Sequence, residues 1–161
     1  MRKFKVVMIT SYFDRNGVTS QVMNYATNLD KDRFQVFIAA GEPYDIGYEK
    51  MCQENNIELC KLPQKQKNAY AYYRTIYSYL KKVKADIVHV HGSSALIAVE
   101  LLIAMLAGVP VRVSHSHNTI CSHPLLHQVL KPILKVVSNY HLACENLQES
   151  GCMAIEHFKL F

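Results

Sequence analysis

The 161-residue sequence contains no C-x-x-C pair; its five cysteines (Cys52, Cys60, Cys121, Cys144 and Cys152) are scattered and odd in number. A disulfide scaffold is therefore not expected, and a reduced, cytosolic chain is. No apolar run reaches the ~20 residues that a bilayer span requires. The most apolar stretch, Ala95–Val113, is broken by Glu100, Gly108, Pro110 and Arg112 and reads as a buried helix followed by a strand. The N-terminal MRKFKVVMITSYF lacks a small-residue cleavage site, so it reads as a first strand and not as a signal peptide. Low-complexity segments and internal repeats are absent, which argues against disorder and against a solenoid. Also missing are G-x-G-x-x-G, the nicotinamide-binding fingerprint, and G-x-S-x-G, the nucleophile elbow of serine hydrolases. With 19 % charged residues and a net charge of +5, no nucleic-acid partner is expected.

What is present is alternation. Strand patterns fall at Phe4–Thr10, Phe34–Ala40, Ile57–Leu62, Asp86–Val90, Val111–His115 and Tyr140–Cys144. Helical spacing follows Gly17 (Val18, Val22, Tyr25, Ala26 and Leu29 on one face), then recurs at Tyr48–Asn55, Asn68–Val83, Ser94–Ala107 and His123–Val137. In the third of these helices Tyr73, Tyr77 and Leu80 fall on one face, widened by Tyr72, Ile76 and Tyr79. Gly108 supplies a helix stop, and Pro132 is expected to kink or split the last helix. Strands alternating with helices imply an α/β, Rossmann-like, doubly wound parallel sheet. Short right-handed crossovers order its strands three, two, one, four, five.

In such a sheet, ligands bind beyond the carboxyl ends of the strands where the order reverses. That crevice lies between strands one and four, reached by the loops Ser11–Gly17, His91–Ser94 and Ser116–Ser122. The first loop ends in Asn16-Gly17 and opens a helix, whose N-terminal amides and dipole suit a phosphate. The fourth strand ends in HVHGSS, so His89 and His91 project from one face; Ser93 or Ser94 is placed to cap the next helix. The fifth runs into RVSHSHNT, where His115 and His117 share a face and Asn118 follows. A histidine there offers one donor and one acceptor nitrogen to sugar hydroxyls. For His89, and for His115, a packed hydrogen-bonded role competes with a functional one. His123 and His127, at i, i+4, read as helix start and surface. The two H-x-H pairs also suit a metal-dependent hydrolase, but no acidic residue follows either pair at diagnostic spacing, so no metal site is expected. Lysines gather near Lys61–Lys67, Lys81–Lys84 and Lys131–Lys135. They suit an anionic ligand or membrane surface, although a solvated helix face is the plainer reading.

The order MRKFKVVMIT, RNGVTSQVMNYATNL, DIVHVHGSSA, AGVPVRVSHSHNT resembles the N-terminal domain of family 4 retaining glycosyltransferases, in particular those building bacterial capsules and exopolysaccharides. The resemblance covers roughly Lys3–Cys144. It implies one half of a GT-B architecture: residues 1–144 form the acceptor-side domain, and 145–161 form a tail or the start of an interdomain region. It further implies that Gly17 and Asn16 approach the donor diphosphate, that His117 lies beside the reacting sugar, and that His91, His115 and Asn118 shape the acceptor pocket. Many members carry two glycines where this chain has Asn16-Gly17, and Glu145 replaces an expected serine. The substrates implied are a nucleotide-diphosphate sugar and a glycan or lipid-linked acceptor, with no further cofactor. The family's donor domain, with its basic residues and E-x7-E glutamates, has no room after Cys144. The chain is therefore expected to need that domain in cis or in trans, and to be inactive alone. A cytoplasmic location with peripheral contact at the inner membrane face is expected. A non-catalytic assembly subunit, paired through the apolar C-terminal end, is the alternative.

Overall fold

The computed structural model describes residues 2–92, 95–117 and 124–143. The elements alternate as β1 (Phe4–Thr10), α1 (Gly17–Asn28), β2 (Phe34–Gly41), α2 (Ile46–Glu54), β3 (Glu58–Leu62) and α3 (Ala69–Val83). They continue as β4 (Ile87–Gly92), α4 (Ile97–Leu106), β5 (Val111–Ser116), α5 (Pro124–Val137) and β6 (Tyr140–Ala143). The six strands form one parallel sheet in the order β3-β2-β1-β4-β5-β6. The expected order holds, with β6 added at the far edge. The boundary expected after Cys144, the tail 145–161, and Ser93 and Ser94 lie outside the described residues.

Each central strand divides its side chains between two cores, as a period of two requires. From β1, Val7 and Ile9 enter the core shared with α3, α4 and α5, while Val6 and Met8 enter the core beneath α1 and α2. From β4, Val88 and Val90 go to the first core. The opposite face of β4 therefore presents Ile87, His89 and His91, placing imidazoles where a buried strand ordinarily carries aliphatic groups.

Several local details differ from the sequence reading. The buried face of α3 is Tyr72, Ile76, Tyr79, Leu80 and Val83, whereas Tyr77 is exposed. The stripe is rotated because Tyr72 and Ile76, not Tyr73 and Tyr77, point at the sheet. In α1 the buried set is Thr19, Val22, Met23 and Ala26, which leaves Tyr25 at the edge of the face. Helix α5 runs unsplit through Pro132; one missing amide removes one intrahelical bond, and the amphipathic packing of the other turns holds the rest. Gly108 does end the α4 segment, in a left-handed conformation at φ 81° that L side chains rarely adopt.

The loop after β1 is held down at its middle. Phe13 is fully buried; its amide donates to the Pro43 carbonyl at 3.1 Å, and its carbonyl accepts from the Asp45 amide at 2.8 Å. A Cβ on Gly41 would overlap the Ser11 carbonyl oxygen, so only glycine lets β2 pass this close to the loop. The start of α1 is thereby fixed over the end of the sheet.

Candidate functional site

Helix α1 begins with Asn16 as its N-cap, whose side-chain oxygen accepts from the Thr19 amide at 2.8 Å. The Asn16 side-chain amide donates to Asp14. Both ends of this side chain therefore hold the turn together, and what faces outward is backbone. The first-turn amides of Gly17 and Val18 have no carbonyl one turn earlier to pair with. Nothing lies within 4 Å of where a Gly17 Cβ would stand. These groups line a cavity of about 480 Å³, together with Asn16, Gln21, His91 and His117. The cavity sits at the carboxyl ends of β1, β4 and β5, where the expected crevice lies.

Register brings the two H-x-H pairs together. His91 is paired directly with His115 across the β4–β5 ladder, and Thr10 with His91 across β1–β4. Because residues two apart share a face, His89, His91, His115 and His117 form a two-by-two array on the α1 side of the sheet. His89 and His115 stack at 5.3 Å between centroids, and His115 and His117 at 4.3 Å. Two ring-to-ring hydrogen bonds cross the array: His89 Nε2 to His115 Nδ1 at 3.2 Å, and His91 Nδ1 to His117 Nε2 at 2.9 Å. In each, one ring donates and the other accepts. The His117 amide also donates to the Gly92 carbonyl at 3.0 Å.

Burial keeps all four rings neutral. It pushes His89 down to about 3, helped by repulsion from His115 and His117, and His115 down to about 4, helped by His117. His91 falls well below the ordinary value through burial and then its three neighbours, and His117 is lowered by burial. No carboxylate contributes to any of these shifts. At neutral pH the array is thus an uncharged set of donors and acceptors.

Of the residues singled out in the sequence, Asn16, Gly17, His91 and His117 meet at one cavity. His115 is buried beside them and is 2 % exposed; Asn118 lies outside the described residues. Two participants were missed. Tyr25, read as core, lies with its ring 5.7, 6.2 and 5.8 Å from those of His89, His91 and His115 and covers the array from α1. His127, read as surface, is buried, and its Nδ1 accepts from the Ala95 amide at 3.2 Å, tying α5 to the entry of α4. Helical spacing identified the face of His127, but it could not reveal that α4 packs over it.

Comparison with known proteins agrees with this fold. A family model, Glycosyltransferase Family 4, matches residues 15–146. EpsF of Bacillus subtilis (strain 168), whose name gives it as a glycosyltransferase, is 30% identical over 119 residues, covering 71% of this chain and 30% of EpsF. Among solved structures, Acinetobacter baumannii MurG superposes with a TM-score of 0.64 at 16% identity, over 89% of this chain and 42% of MurG. The UDP-GlcNAc 2-epimerase of Neisseria meningitidis, solved bound to UDP-GlcNAc, gives 0.61 at 12% identity, over 87% of this chain and 40% of the epimerase. At such identities the structural likeness speaks for the fold, an α/β Rossmann-like sheet. The chain spans about a third of the length of EpsF and about two fifths of these structures. The family match covers most of the chain and the sheet is the one it requires: this chain belongs to glycosyltransferase family 4.

Proposed function

We propose that this chain is the acceptor-side domain of a retaining GT-B glycosyltransferase. In this reading it moves a sugar from a nucleotide-diphosphate donor to a glycan or lipid-linked acceptor, in polysaccharide synthesis of the capsule or exopolysaccharide type. The observation that carries the proposal is the convergence of Gly17, His91 and His117 on one cavity at the carboxyl ends of β1, β4 and β5. The Gly17 and Val18 amides, at the positive end of the α1 dipole, would meet the donor diphosphate. Asn16 contributes by holding those amides in place. His117, neutral and with its Nε2 paired with His91, would stand at the reacting sugar and meet a sugar hydroxyl through its other ring nitrogen, as donor or acceptor according to the tautomer. His91, with His115 behind it, would shape the acceptor pocket together with Asn118.

Stabilising the leaving diphosphate takes charge or dipoles aimed at it from more than one side. One helix N-terminus supplies one side, so a donor-binding domain, in cis or in trans, completes the site. The test is a calorimetric titration of UDP into this chain and into the same residues joined to the C-terminal half of EpsF. Binding at least about tenfold tighter in the joined protein, a gain of 1.4 kcal/mol, is the expected result. Equal affinity in the short chain would overturn this division of labour.

Helix α5 supports a peripheral membrane contact, and no helix among the described residues is long and apolar enough to cross a membrane. Leu125, Val129 and Val136 are 81, 63 and 75 % exposed, and Lys131 and Lys135 lie on the same helix. Exposed apolar groups beside lysines suit an anionic bilayer, with about 1 kcal/mol from each lysine near the surface. Flotation with phosphatidylglycerol vesicles should fall at least about tenfold in the Lys131→Glu, Lys135→Glu double variant. Unchanged flotation would remove the membrane from the proposal.

A further inference from the structure

We propose that His89, His91 and His115 form a buried binding site for a single late first-row divalent cation of the zinc type. The two H-x-H pairs by themselves suggest metal ligation, but neither is followed by a carboxylate at diagnostic spacing, so no metal site is expected from the sequence. Packing β4 against β5 supplies what the motif lacks. One candidate ligand nitrogen from each of the three rings lies within 4.8 Å of the other two. Zinc–nitrogen bonds of 2.0–2.1 Å place tetrahedral ligands about 3.3 Å apart, so closure asks the widest pair to approach by no more than about 1.5 Å. Rotation of the side chains, with the β4–β5 register unchanged, would supply that approach.

A second, independent observation lies in the hydrogen bonding. His91 is 2 % exposed, and its Nε2 is buried with no hydrogen-bond partner. A buried ring nitrogen without a hydrogen-bond partner is destabilising, and such atoms call for an explanation. A cation, or a water bound to one, would satisfy it. His91 also lines the cavity, which gives an ion a path in and leaves room for a solvent ligand in the open coordination position. Ligation by both His89 and His115 replaces the hydrogen bond between His89 Nε2 and His115 Nδ1; each ring then keeps its one proton on the nitrogen that does not ligate, so binding requires a choice of tautomer and no ionisation. The rings are already neutral, as ligands must be. An all-imidazole set selects zinc, nickel or copper over magnesium and calcium, which demand oxygen. An occupied site would clamp the ends of β4 and β5 directly beneath His117.

The inference is independent of the transferase reading, since it concerns uptake by this chain alone. The experiment strips the full 161-residue chain with a chelator and titrates it with Co2+ and then Zn2+. Visible d–d bands should saturate at one equivalent of cobalt and be bleached by one of zinc. His89→Gln and His115→Gln should each weaken uptake at least about tenfold. His141→Gln should not, because that ring is paired with Ser114 at 2.8 Å, away from the array. Should either array variant fail to fold, imidazole nitrogen resonances of the unsubstituted protein decide the matter. One equivalent of zinc must shift those of His89, His91 and His115 and leave His141 in place. Folded, stripped protein that develops no cobalt bands overturns the proposal, as does uptake that survives both array substitutions or an unmoved set of resonances.

Discussion

Acidifying the metal-free protein from about pH 7 to about pH 5 is expected to remove several kcal/mol of stability, before most carboxylates begin to protonate. In the unfolded chain each histidine binds a proton near 6.5. In the fold, burial holds His89 down at about 3 and His115 at about 4, and His91 also lies well below its ordinary value. Above 6.5 neither state carries these protons, so the rings contribute no pH dependence. Below 6.5 the unfolded state takes them up and the native state does not, so stability falls with pH until the native rings protonate. The window therefore runs from 6.5 down to about 4 for His115 and about 3 for His89. At pH 5 each such ring costs about 2 kcal/mol, at 1.36 kcal/mol per unit. His89 and His115 together then remove on the order of 4 kcal/mol, and His91 acts in the same direction, against a total domain stability of about 5–15 kcal/mol. Urea melts across this range measure it directly. Replacing His115 by Gln should flatten the slope by close to one proton. A stability constant from pH 7 to pH 5 would mean that the rings are solvated.

A second large effect is expected on the opposite face of the sheet. Lys65, in the loop after β3, reaches Glu100 of α4 at 2.7 Å, and the Glu100 side chain is only 4 % exposed. Lys65 also lies over the rings of Tyr72 and Tyr73, at 5.5 and 5.2 Å. Burial works to lower the Lys65 pKa, yet Glu100, by charge and by hydrogen bond, leaves it raised. The Tyr72 hydroxyl lies near enough to Glu100 for the carboxylate to push its pKa up, and Lys65 is the one cation in an ion pair with Glu100 among the described residues. Removing one member of a buried pair costs about 3–5 kcal/mol, because the other charge is left uncompensated. Lys65 is 27 % exposed, which lets water compensate in part and brings Lys65→Met to about 2–3 kcal/mol. The double variant Lys65→Met, Glu100→Leu should recover to within about 1 kcal/mol of the parent. Denaturant melts of the single and double variants close the cycle. A silent Lys65→Met would show that solvent, not lysine, neutralises Glu100.

Much of the site was legible in the chain, because its logic is periodic. Alternation along DIVHVHG and VRVSHSH places His89 with His91 and His115 with His117 on the sequence alone. Helix α1 was expected to open at Gly17, and it does. What spacing could not reveal was how far each helix is rotated, as in α3, where Tyr77 is exposed and Tyr72 buried. A stripe with tyrosine on adjacent faces fits more than one rotation, and only the sheet beneath it selects one.

The pattern of apolar residues by itself determined the alternation of strands and helices, the parallel sheet, and the end of that sheet at which the polar loops gather. These are local properties: backbone geometry sets the periods of two and 3.6, and short connections restrict the topology. Tertiary structure alone decided which side chains meet. The β4–β5 register set His91 opposite His115 and turned two separate H-x-H motifs into one buried array. Loop and helix packing seated Lys65 on Glu100, 35 residues away, and His127 beneath Ala95. Contacts of this kind depend on register and on helix rotation, which are settled only when surfaces far apart in the chain exclude water from one another.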